Sequence, residues 1–82
     1  MLIHLKLFAD LRKYLPEGSE LITADVQADK GATVESVLSE LGVPLDHCRL
    51  ILVNGLTYVE REQWLVIELK DGDSLAVLSK MH

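Results

Sequence analysis

Apolar and polar residues alternate from the start of the chain. Ile3, Leu5 and Leu7 stand on one side, His4 and Lys6 on the other, the period of two that a half-covered strand requires. Residues 9–15 read as a short helical turn that packs Leu11 and Leu15, and Pro16-Glu17-Gly18-Ser19 breaks it. Leu21 to Val26 is β-branched enough for a second strand, antiparallel to the first. The polar stretch Asp29-Lys30-Gly31 closes it.

The period then changes. Val34, Val37, Leu38 and Leu41 recur at i, i+3, i+4 and i+7, one apolar stripe of a two-turn helix. Thr33 precedes them as an N-cap, its hydroxyl placed to accept from a free backbone N–H of the first turn. Gly42 suits the left-handed position after the last turn, and Pro44 blocks continuation.

Leu50-Ile51-Leu52-Val53 has no polar alternation at all, as in a strand with both faces covered. Asn54-Gly55 follows, a type I′ hairpin signal because both central residues need positive φ. Leu56 to Val59 is the return arm, and Glu60 to Gln63 a solvated break. In Trp64–Leu69, Leu65, Ile67 and Leu69 alternate with Trp64, Val66 and Glu68, which predicts another strand. Asp71-Gly72-Asp73 is a tight turn, and Leu75 to Leu78 the last strand.

Composition narrows the function. With 82 residues, 49% of them hydrophobic and 26% charged, the chain has the size of one ordinary globular domain, residues 1–82. A net charge of −5 argues against nucleic acid, whose phosphates need clustered cations. The longest aliphatic runs have four residues, far short of the about 20 that a spanning helix needs. The N-terminus has no basic leader before an apolar block, and the one cysteine closes no internal disulfide. The expectation is a cytoplasmic protein without a membrane segment.

The elements run hairpin, helix, strand, irregular hairpin region, final strand: an α+β domain with a mixed four- to five-stranded sheet packed on one main helix. That order and length resemble the ubiquitin-like β-grasp. Residues 5–12, Leu-Lys-Leu-Phe-Ala-Asp-Leu-Arg, are similar to the opening of small sulfur carriers of the MoaD/ThiS type. Residues 32–38, Ala-Thr-Val-Glu-Ser-Val-Leu, resemble their helix start. Val53-Asn54-Gly55 resembles their third-strand turn, and Asp71-Gly72-Asp73-Ser74-Leu75 the turn into their last strand. The resemblance implies a carrier whose terminal carboxylate a ubiquitin-activating-type partner adenylates and converts to a thiocarboxylate, with molybdopterin or the thiamine thiazole receiving the sulfur. Such a tail ends Gly-Gly, since residues without Cβ atoms thread a narrow channel. Here Ser79, Lys80, Met81 and His82 stand after Leu78. The expected function is therefore a non-catalytic protein-binding module on the sulfur-carrier scaffold. Its partner would be an adenylating or cofactor-synthesis enzyme. The alternative is a sulfur carrier for molybdopterin or thiamine biosynthesis whose tail is missing or replaced.

Other chemistry is thin. His47-Cys48 is the only Cys/His neighbourhood, and adjacent side chains rarely face each other, so Cys48 reads as a small hydrophobe entering the next strand. His4, His47 and His82 show no metal-ligand spacing, and neither a metal nor a cofactor is expected. Glu60, Glu62, Glu68, Asp71 and Asp73 are read as turn chemistry and a wet edge, or as an acidic docking surface. Trp64, the single tryptophan, is either a core anchor or, by its parity opposite Leu65, Ile67 and Leu69, a partly exposed interface anchor with Val66 and Glu68. An exposed sheet face or edge also leaves a homodimer open.

Overall fold

The computed structural model describes residues 1–80. Five strands, β1 (Leu2–Leu7), β2 (Thr23–Gln27), β3 (Cys48–Val53), β4 (Leu56–Tyr58) and β5 (Ser74–Ser79), form one mixed sheet in the order β2-β1-β5-β3-β4. β1 runs antiparallel to β2 and parallel to β5, so the first and last strands lie side by side near the centre of the sheet. Two helices, α1 (Val34–Glu40) and α2 (Arg61–Val66), join them, with short 3-10 turns at Ala9–Tyr14 and Leu45–His47.

The period-two pattern of β1 is realised side chain by side chain. Ile3, Leu5 and Leu7 are buried, His4 and Lys6 exposed. Leu5 lies beside Leu75, and Leu75 beside Val53; because partners in register share a face, these residues form one inner layer. Val34, Val37 and Leu38 of α1 pack on that layer, together with Leu11 and Trp64. The helix starts where its cap chemistry predicts. Thr33 Oγ1 accepts the Ser36 N–H at 3.2 Å, and Ser36 Oγ accepts the Thr33 N–H at 2.9 Å, a reciprocal capping box. At the β3–β4 hairpin Asn54 and Gly55 both have positive φ, +51° and +84°, as a type I′ turn demands.

Two stretches differ from expectation. β2 begins at Thr23, leaving Leu21 exposed before it. Trp64–Leu69 does not run as a strand: its first half belongs to α2. Trp64 is buried, Leu65 and Val66 are exposed, and Ile67 is intermediate, so positions i and i+3 point inward as in a helix. Over six residues that spacing and a period of two share too few positions to be told apart. Arg61, Glu62 and Gln63 are good helix formers and permit the helix; burial of Trp64 in the core with α1 decides for it. The second half is extended but bonds outside the sheet: Val34 donates to the Ile67 carbonyl at 3.2 Å and Leu69 to the Ala32 carbonyl at 2.8 Å, tying this segment to the start of α1.

Candidate functional site

The other face of the sheet carries the feature that the inner face does not explain. Lys6 stands beside Ala76, Ala76 beside Leu52, and Leu52 beside Thr57. One row away, Leu50 stands beside Leu78. Both helices send their buried side chains to the opposite side, and Leu50, Leu52, Ala76 and Leu78 are all partly exposed. The expectation that Leu50–Val53 is covered on both faces is corrected here: Ile51 and Val53 are buried, while Leu50 and Leu52 face outward. An antiparallel pair with one solvated face ordinarily places polar residues there. β3 and the adjoining β5 place leucine and alanine.

A polar flank borders this apolar strip. His4 Nδ1 lies 2.7 Å from Asp25 Oδ1, and Lys6 and Ser74 are exposed on the same side. Together with Thr23, Leu52 and Ala76 they line an open concavity of about 410 Å³. The strip ends where β5 gives way to Lys80, whose backbone N–H is held by the His47 carbonyl at 3.0 Å.

The structure separates the residues that parity grouped together. Trp64 is 0% exposed and donates its indole N–H to the Tyr58 carbonyl at 3.1 Å. It is a core anchor, and its expected place as an exposed interface anchor is corrected; in a helix it no longer shares a side with Val66. Val66 is 75% exposed and Glu68 is exposed, the latter bridging Thr33 through its backbone. Of the tail residues, Ser79 closes β5 beside Cys48, and Met81 and His82 lie outside the described residues.

Cys48 is buried, with its Sγ 3.5 Å from the Pro44 carbonyl, and His47 is exposed. Burial pushes the thiol up to about 11, against weaker opposing pulls from Arg61 and Lys80, which makes it a poor nucleophile at neutral pH. The carboxylates of Asp71 and Asp73 serve the turn before β5. Asp71 accepts the Leu2 N–H at 2.7 Å; Asp73 accepts the Lys70 N–H at 2.8 Å and the Asn54 side-chain amide at 3.0 Å. Among the described residues no group of His, Cys, Asp and Glu assembles for a metal.

The residues that sequence reasoning missed are Leu50, Leu52, Ala76 and Leu78. Their signal was two four-residue apolar runs, each in a strand with one face left over once the core is filled.

A five-stranded mixed sheet wrapped on α1, with its first and last strands parallel at the centre, defines a protein of the ubiquitin-like β-grasp class. Within that class the chain belongs to the Mut7-C ubiquitin family, which matches residues 1–82. Crystal structures of SAMP1, small archaeal modifier protein 1 of Haloferax volcanii, superpose with a TM-score of 0.67 at 27% and 28% identity. They cover 99% and 98% of this chain and 97% and 98% of theirs. The solution structure of the Haloferax volcanii HVO 2177 protein gives a TM-score of 0.76 at 23% identity, over 100% of this chain and 85% of that one. A Pyrococcus furiosus protein described as molybdopterin converting factor subunit 1 gives 0.67 at 23%, over 98% of both. The last two show the shared fold. No curated protein matches the chain in sequence. The likeness to MoaD-type carriers expected from the four motifs is thus found in the fold.

Proposed function

We propose that this chain is a non-catalytic protein-binding module that docks an enzyme partner through the outer sheet face formed by Leu50, Leu52, Ala76 and Leu78. The observation that carries this reading is the pair of apolar runs in β3 and β5, each with only one face in the core. Covering that strip removes apolar area from water at about 25 cal/mol per Å² before the costs of association are met. The polar flank of His4, Lys6, Asp25 and Ser74 supplies the rim that orients a partner. The partner class is an adenylating or cofactor-synthesis enzyme, on the strength of the likeness to modifier and converting-factor proteins. The reaction chemistry then belongs to the partner, and the single buried thiol suits a reducing, cytoplasmic setting.

The test is binding to an adenylating enzyme of the ubiquitin-activating class from the same cell, followed by amide chemical-shift mapping. Shifts centred on Leu50, Leu52, Ala76 and Leu78 support the reading, as does a loss of binding in Leu52→Lys with folding retained. Shifts confined to α2, Val66 and Glu68 overturn it in favour of a surface there. A sulfur carrier is the second reading, favoured by the same two likenesses. Its signature is a thiocarboxylate on the chain after ATP and a sulfur donor are added.

A further inference from the structure

The sheet has two open edges, β4 and β2. β4 has three residues, and brevity is itself a protection against pairing. β2 has five, without proline or lysine, and Leu21, 79% exposed, stands just before it. At its two ends Leu7 donates to the Ile22 carbonyl and Ala28 to the Met1 carbonyl, both at 2.9 Å. Bonded pairs alternate along an antiparallel ladder, so Ala24 and Val26 turn their backbone groups toward β1. Asp25 and Gln27 turn theirs outward, to an edge that no described strand pairs.

On the side of the 16–20 loop, whatever approaches that edge meets negative charge. The 16–20 loop lies beside Thr23–Asp25 and encloses an open groove of about 290 Å³ that carries Glu17, Glu20 and Asp25 and no lysine or arginine. Asp25 is shared with His4, whereas Glu17 and Glu20 enter no ion pair among the described residues. A second copy of this acidic chain would bring like charges together.

We propose that the open edge of β2 takes up an extended, lysine- or arginine-rich segment of a protein partner as an added strand. Main-chain bonds to Asp25 and Gln27 hold the segment, and Glu17 and Glu20 select its charge. The edge adjoins the polar flank of the Leu50–Leu78 strip, Asp25 belonging to both, and the peptide is distinguished from a partner on the strip by which amides it shifts.

The probe is a capped peptide of about eight residues alternating lysine with valine, titrated into the 82-residue chain at low salt. Shifts are expected at the amides of residues 23–27, with slowed hydrogen exchange at Asp25 and Gln27. The same peptide N-methylated at alternate residues is expected to bind at least about tenfold more weakly, because it cannot complete the ladder. The Glu17→Lys/Glu20→Lys variant weakens the parent peptide, and a glutamate-for-lysine peptide does not bind. Equal binding by the N-methylated peptide, shifts centred on Leu52 and Ala76, or no binding at low salt would each overturn the proposal.

Discussion

Trp64 and Cys48 are the two side chains whose chemistry depends most on where they lie. Trp64 fills the core beside α1 and closes α2 onto β4 through its bond to the Tyr58 carbonyl. Trp64→Ala is expected to cost about 3–5 kcal/mol, the usual range for removing a buried large aromatic. Trp64→Phe should cost less, leaving the Tyr58 carbonyl without its indole donor; denaturant midpoints measure both. The native fluorescence should be blue-shifted and resistant to quenchers. Cys48 carries a pH dependence. Its thiol titrates near 11 in the fold against 9.0 for an ordinary thiol. Between those values the unfolded chain loses a proton that the folded one keeps, so stability is fully present below pH 9 and falls as pH rises toward 11. Cys48→Ser should remove that slope from a series of urea denaturations at increasing pH. Alkylation of the native protein at neutral pH should be slow.

At the scale of elements, α1 stands on local chemistry and the sheet on distant pairing. Seven residues make a helix too short to persist alone in water, so its capping box and its three buried side chains act together. Thr33→Ala is expected to cost about 1 kcal/mol, read from the thermal midpoint. Thr33→Ser, which keeps an acceptor oxygen, should cost less. The two apolar runs of β3 and β5 divide the same way. Ile51→Ala should destabilise by about 2–5 kcal/mol, because it empties a packed site. Leu52→Lys, one residue on, should leave stability within about 1 kcal/mol and remove partner binding instead. A calorimetric scan and a binding titration on the two variants separate these outcomes. Equal destabilisation by both would count against the outer face as a docking surface.

For the whole molecule, the question is whether the scaffold still receives sulfur. A carrier tail must thread its terminal carboxylate to ATP through a channel that admits little side-chain volume. The residues after Leu78 are Ser79, Lys80, Met81 and His82. A chain of these 82 residues is therefore expected to show no adenylate or thiocarboxylate by intact-mass spectrometry after incubation with an activating enzyme, ATP and a sulfur donor. Grafting a spacer and Gly-Gly after Leu78 should restore modification if the outer face docks that enzyme. If the graft also stays unmodified, the shared fold carries no shared docking. The sequence by itself determined what rests on neighbouring residues: the alternation of β1, the Thr33 cap and stripe of α1, the Asn54-Gly55 turn and the turn at Asp71–Asp73. Each is written in a few adjacent side chains whose preferred backbone is also the native one. Only the tertiary structure decided the rest. Trp64 to Leu69 offered two periods over too few residues, and packing beside α1 chose the helix and buried the indole. The runs Leu50–Val53 and Leu75–Leu78 announced strands with apolar faces, but not which face the core would cover. That follows from the pairing of β5 between β1 and β3, residues far apart in the chain, and it leaves Leu50, Leu52, Ala76 and Leu78 on the open side.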